Sequence, residues 1–222
     1  MNTLSKTAKN VGRLHVITTE TLQSRYSHSD IARLGSAGGA DVVQFREKRN
    51  HTTQEQIQIL TAMQKEVDEH RCRLVVNDRS DIAKAVGADL HIGPNDIGPA
   101  IARDILGDGA IIGATANNLM MLRELYDAPI DYVGVGPVFG TTSKENPAQT
   151  LGLEGLSAMV QESPFPVIAI GSIQAVHVPD VLATGAHGVA VISGIVLQED
   201  LEGACQAYRN AIDQFLKDQP PA

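Results

Sequence analysis

Amide, cationic and carboxylate side chains recur along this chain at spacings suited to chemistry on phosphorylated molecules. Gln44, Arg46 and Lys48 stand two residues apart. In an extended strand all three leave one face, while Val43, Phe45 and Glu47 leave the other. Two cations and an amide on one face predict an anion site; the plainer reading is a solvated strand face. Asn77 and Asp78 follow the apolar pair Val75-Val76, and Asp96 follows Gly93-Pro94-Asn95. Either aspartate alone reads equally well as a helix N-cap. Together, beside a cationic patch, the two carboxylates suit Mg²⁺ that also takes substrate phosphate oxygens and keeps several waters.

Two further stretches suit phosphate. Gly140-Thr141-Thr142-Ser143-Lys144 supplies three hydroxyls and a cation in one short segment, and such groups hydrogen-bond phosphate oxygens strongly. Gly171-Ser172 and Ile192-Ser193-Gly194 end two late apolar runs, where small residues let backbone N–H groups approach an anion. Other chemistries are poorly served. There is no G-x-S-x-G nucleophile turn, and the isolated Cys72 and Cys205 read as packing residues rather than a metal or redox pair. His91, in the middle of the expected strand 89–93, reads as a satisfied packing residue.

These groups need a scaffold that brings distant segments together. Short β-rich runs at 14–19, 40–47, 73–78, 89–93, 110–115, 131–136, 166–172 and 188–195 alternate with longer amphipathic segments. In the segment 53–69, Ile57, Leu60, Met63 and Val67 recur at helical spacing, and another helix is expected over 200–215. Eight strands, each followed by a helix at about 26 residues per unit, are the arithmetic of an α/β fold, a single-domain (β/α)₈ TIM barrel. A doubly wound open sheet is the structural rival. In the barrel, residues at the carboxyl ends of the strands reach one mouth, where the chemistry of this fold sits. The segment 136–152 is the longest expected loop. Residues 1–13 are expected to form a flexible tail and residues 14–222 the barrel.

Composition supports this and removes other classes. The 222 residues are 43% hydrophobic, 20% charged and 4% aromatic, with no Trp, as an aliphatic core of buried parallel strands requires. A net charge of −8 disfavours nucleic acid or an acidic membrane face as partner. No apolar run reaches the roughly 18 residues of a membrane span, and the first residues lack a secretory h-region; the expectation is a cytoplasmic chain. A homo-oligomer stays open.

In order and spacing, VQFREK (43–48), VNDR (76–79), HIGPND (91–96), DYVGVGPVFGTTSK (131–144), AIGS (169–172) and GVAVISGI (188–195) resemble the thiamine-phosphate synthase (thiamine-phosphate pyrophosphorylase) family. The resemblance runs from Leu14 to the last helix. It implies a Mg²⁺-dependent transferase that joins hydroxymethylpyrimidine diphosphate to a thiazole phosphate, releasing pyrophosphate and forming thiamine phosphate. By that resemblance Gln44, Arg46, Lys48, Asn77, Thr115 and Lys144 bind the pyrimidine diphosphate, with Arg46, Lys48 and Lys144 catalytic. Asp78 and Asp96 hold the metal. Thr141, Thr142, Ser143, Gly171, Ser172, Ile192 and Ser193 bind the thiazole phosphate.

Three positions depart from the family pattern: Thr115 stands for the usual Ser, Asn117 for the usual His, and Ser172 for the second Gly of a pair. Two other readings stay open, a thiazole tautomerase on the same barrel and a non-catalytic thiamine-precursor-binding protein. The tautomerase is usually marked by a His after strand five and loss of the metal carboxylates; here Asn117 replaces the His while Asp78 and Asp96 remain. If cationic stabilisation of a departing diphosphate lowers the barrier, Arg46→Ala or Lys144→Ala should cut steady-state turnover roughly a hundredfold or more. Circular dichroism of both variants should match that of the unaltered protein.

Overall fold

The computed structural model describes residues 9–140 and 148–219; Thr141, Thr142, Ser143 and Lys144 lie outside the described residues. Eight parallel strands close into one barrel in sequential order. They are β1 Leu14–Ile17, β2 Val42–Phe45, β3 Arg73–Asn77, β4 Asp89–Ile92, β5 Ile112–Ala116, β6 Tyr132–Val135, β7 Val167–Ile170 and β8 Gly188–Val191. The first and last strands pair with Leu14 beside Val189, so the open-sheet alternative is excluded.

The strand ladder is wrapped by helices α1 His28–Ala37, α2 Thr53–Asp68, α3 Ser80–Val86, α4 Pro99–Leu106, α5 Leu119–Glu124, α6 Gly152–Glu162, α7 Val178–Ala183, α8 Ser193–Val196 and α9 Leu201–Lys217. Local chemistry sets their ends. Thr52 opens α2 with a capping box: its hydroxyl accepts from Glu55 N at 3.2 Å, and the Glu55 carboxylate accepts from Thr52 N at 2.7 Å. Gly87 closes α3 in the left-handed region, φ 72°, where a residue without Cβ is least strained. The eighth strand is shorter than expected. Ile192, at φ −112° and ψ −88°, leaves the strand, and Ser193 begins the short helix α8.

Alternation splits the apolar residues into two layers. One side of each strand packs beneath the helices, with Val43, Phe45, Leu74, Val76, Leu90 and Val133 in that outer core. The other side fills the lumen, where Val11, Ile17, Ile111, Tyr132, Ile168 and Ala190 form a separate cluster. Val11 belongs to the segment expected as a tail, so that expectation is corrected for residues 9–13. Val11 is buried, Lys9 Nζ donates to Ala110 O at 2.6 Å and pairs with Asp131 at 3.2 Å, and Arg13 Nη1 donates to His187 O at 2.6 Å. The segment straps the amino-terminal end of the barrel.

The strap also accepts a hydrogen bond from the lumen, since His15 Nε2 donates to Val11 O at 2.8 Å. Burial pushes the His15 imidazole down to about 4, despite that bond. Because the folded value lies below the unfolded one, the unfolded chain binds more protons between about pH 6.5 and pH 4. The stability this group contributes is therefore complete above the ordinary histidine value and lost as pH falls, by on the order of 3 kcal/mol over the window. Urea melts between about pH 7 and pH 5 should show about 2 kcal/mol of this loss. His15→Gln should flatten the slope, leaving the shares of the other shifted groups, among them His28 and His187, also held low by burial.

Candidate active site

A cavity of about 620 Å³ opens at the carboxyl ends of the strands. Its walls collect Gln44, Arg46 and Lys48 from β2 and its exit, Asn77 and Asp78 from β3, Asp96 after β4 and Thr115 on β5. Gly171 and Ser172 after β7, with Ile192 and Ser193 after β8, complete the opposite side. Eleven expected site residues thus line one cavity. The other four, Thr141, Thr142, Ser143 and Lys144, lie outside the described residues.

The plainer readings fail for particular reasons. The face bearing Gln44 is not turned to solvent: Gln44 is 4% exposed and lines the lumen side. Neither aspartate caps a helix. Arg79 stands at the N-cap of α3 without a side-chain capping bond, and Gly98 stands at that of α4. Asp78 instead sits at φ 68°, in the left-handed region that Asp tolerates better than most residues. There it accepts from Lys48 Nζ at 2.9 Å. Asp96 Oδ2 accepts from Gly93 N at 2.7 Å, which closes the turn after β4.

The two carboxyl groups also perturb each other, and their ionisation splits. Burial, the bond to Asp78 and the Asp78 charge raise Asp96 above the usual carboxylate range. Burial pushes Asp78 up too, but the bonds from Asp96 and Lys48 outweigh it and hold it low. Two neighbouring carboxylates whose ionisation is pushed apart make a site that favours added positive charge. With only two carboxylates the pair fits a cation that takes the rest of its oxygens from substrate and water. Among the described residues no group of three or more His, Cys, Asp or Glu could hold a metal by itself.

The remaining polar groups are donors left open. Among the described residues the Arg46 guanidinium makes no hydrogen bond or ion pair; burial lowers its pKa and the nearby Asp78 charge raises it. The Gln44 and Asn77 amides likewise bond to no described side chain or backbone group. Across the cavity the N–H groups of Ser172, Ser193 and Gly194 donate to no described residue. Gly171, at φ 115°, has no room for a side chain: a Cβ would lie 2.6 Å from Pro137 Cα. Ser172 follows at φ 48°, so the Ser in place of the usual Gly occupies the left-handed region that costs an L-residue about 1–2 kcal/mol. Asn117, the other departure, donates from Nδ2 to Gly136 O at 2.8 Å and so holds the exit of β6.

Several contributors had no motif to mark them. His15, Ile17 and Tyr132 form the floor of the cavity; the available signal was the two-residue alternation that turns them inward. Behind the site, buried Glu47 anchors the exit of β2. His51 Nδ1 lies 2.6 Å and His28 Nε2 3.2 Å from its Oε2, and Arg49 N donates to its other oxygen. Burial alone would raise Glu47, but these bonds and the nearby imidazoles hold it low. Thr18 Oγ1 accepts from Arg46 N at 3.3 Å and lies 2.6 Å from His28 Nδ1. The backbone that carries Arg46 and Lys48 is thus tied to α1.

A closed (β/α)₈ barrel with open donors and paired carboxylates around one mouth has the architecture of a barrel enzyme for anionic substrates. Comparison with known proteins narrows this. The family model described as thiamine monophosphate synthase matches residues 14–195. The thiamine-phosphate synthase of Salinibacter ruber is 40% identical over 215 residues, covering 96% of this chain and 94% of that protein. That of Chloroflexus aurantiacus is 37% identical over 198 residues, covering 89% and 91% respectively. The solved thiamine phosphate pyrophosphorylase of Pyrococcus furiosus superposes with a TM-score of 0.83 at 34% identity, covering 92% of this chain and 96% of that one. The chain belongs to the thiamine monophosphate synthase family, and is accordingly an enzyme of thiamine biosynthesis, a transferase.

The split between the two aspartates can be read directly. In Asp78→Asn the neighbouring negative charge disappears, so a carboxyl ¹³C titration should place Asp96 below its value in the unaltered protein, with only burial still raising it. An unchanged Asp96 titration would mean that the two groups do not interact.

Proposed function

We propose that the chain joins hydroxymethylpyrimidine diphosphate to a thiazole phosphate, with Mg²⁺, to give thiamine phosphate and pyrophosphate. The observation that carries the reading is the half-buried Arg46 guanidinium, without a partner among the described residues, beside paired carboxylates in one 620 Å³ cavity. A buried cation is costly unless an anion completes it, and a diphosphate supplies both the anion and the oxygens a bound cation requires.

The residues divide the work. Gln44, Arg46, Lys48, Asn77, Thr115 and Lys144 hold the pyrimidine diphosphate, and Asp78 and Asp96 are the residues that would hold Mg²⁺. When bound, that ion supplies charge stabilisation on the diphosphate oxygens. Arg46, Lys48 and Lys144 favour the departure of pyrophosphate because its charge grows as the carbon–oxygen bond breaks. The thiazole nitrogen then donates its electron pair to the pyrimidinylmethyl carbon, so no strong general base is needed. Gly171, Ser172, Ile192 and Ser193 hold the thiazole phosphate on the opposite wall, and the family pattern assigns Thr141, Thr142 and Ser143 to the same phosphate. The names of the relatives and the retention of both aspartates favour synthesis over a tautomerase or a binding protein.

The direct test is to incubate the protein with both substrates and Mg²⁺ and assay thiamine phosphate and pyrophosphate together. Both products should appear in equal amounts, and chelation of the metal should abolish them. Asp78→Asn and Asp96→Asn should each shift the Mg²⁺ dependence to higher concentration. Well-folded protein that makes neither product at saturating substrates would overturn the proposal. Isomerisation of the thiazole alone would indicate the tautomerase, and binding without turnover a precursor-binding protein.

A further inference from the structure

Thr115 is backed by two aromatic residues from neighbouring strands. His91 Nε2 lies 2.9 Å from Thr115 Oγ1, and His91 Nδ1 lies 3.0 Å from Tyr132 Oη. The His91 and Tyr132 rings are stacked, with centroids 5.6 Å apart. The lumen is shaped to admit them. A Cβ at Gly113 would lie 2.1 Å from Tyr132 Cζ, and a Cβ at Gly134 would lie 3.0 Å from His91 Cε1. Two strands thus give up side chains where these rings pass.

Proton directions follow from Tyr132. The residue is buried, and burial raises its hydroxyl pKa, so the phenol keeps its proton. Among the described residues His91 Nδ1 is its one hydrogen-bond partner. A buried O–H with a single neighbour donates to it; in the reverse arrangement, with Nδ1–H donating, the phenolic hydrogen would have no acceptor. Nδ1 therefore accepts, Nε2 carries the imidazole hydrogen, and Nε2–H donates to Thr115 Oγ1. The hydrogen of the Thr115 hydroxyl is left to point into the cavity that Thr115 lines.

We propose that His91 and Tyr132 are positioning residues that fix Thr115 as a hydrogen-bond donor to an acceptor on the phosphorylated pyrimidine substrate. The identity of that substrate rests on the function proposed above; the proton arrangement does not. His91 is thereby more than the packing residue its lone position suggests.

The arrangement can be observed without turnover. In protein carrying ¹⁵N-histidine, at about pH 8 to favour neutral imidazole, two-bond ¹⁵N–¹H correlations should show His91 as the Nε2–H tautomer. Its signal among the 7 histidines is assigned by its loss in His91→Gln. Tyr132→Phe should move His91 toward Nδ1–H and reduce kcat/KM for the pyrimidine diphosphate roughly ten- to a hundredfold, the worth of one hydrogen bond to a charged group. Thr115→Val should lose a similar factor, Thr115→Ser should retain activity, and Thr115→Val should cost little more once Tyr132→Phe is present. An Nδ1–H tautomer or an even mixture in the unaltered protein overturns the proposal, as does full additivity of the two losses. The tautomer of the unaltered protein decides the matter even if Tyr132→Phe fails to fold. A protein with the expected tautomer but no synthase activity would instead count against the proposed function.

Discussion

In a closed parallel barrel a strand side chain has two places to go, the lumen or the layer beneath the helices, and successive residues must alternate between them. Much of this structure depends on that constraint. On β2 it sends Gln44 inward while Val43 and Phe45 enter the outer core. The same alternation turns His15, His91, Thr115 and Tyr132 toward one axis from four different strands. Residues far apart in the chain become neighbours because they occupy comparable heights on adjacent strands, as with His91 beside Gly113 and Thr115 beside Gly134.

Charge is arranged on top of this geometry. Lys48 does not stand free at the mouth but pairs with Asp78 at 2.9 Å, while Asp78 and Asp96 shift each other's ionisation in opposite directions. Arg46 is left without such a partner among the described residues. The chain as a whole is acidic, with a net charge of −8, yet its open donors gather at one end of the barrel. The overall charge therefore says little about the ligand, because a local field within a cavity is set by the groups that line it.

What was legible in the sequence follows from the same physics. The eight strands were visible as short β-rich runs, and the Gln44-Arg46-Lys48 spacing already assigned its face. The end of β8 was not legible: the run from Gly188 through Ile195, apolar but for Ser193, has no period to separate strand from helix, and the backbone turns at Ile192. The strap at residues 9–13 was missed because one buried apolar residue, Val11, makes no pattern, and Lys9 finds its partner 101 residues away. The partners of His91 were equally hidden, lying 24 and 41 residues along the chain. Alternation gives the direction of a side chain; it does not name what waits across the lumen.

The strap and the cluster of Val11, Ile111 and Ile168 give the barrel a floor. Between that floor and the mouth the cavity is a cup rather than a tunnel. Because packing residues close the base, the polar groups that alternation turns inward are left open only toward the mouth, and the amino-terminal end of the lumen is given over to holding the strands together.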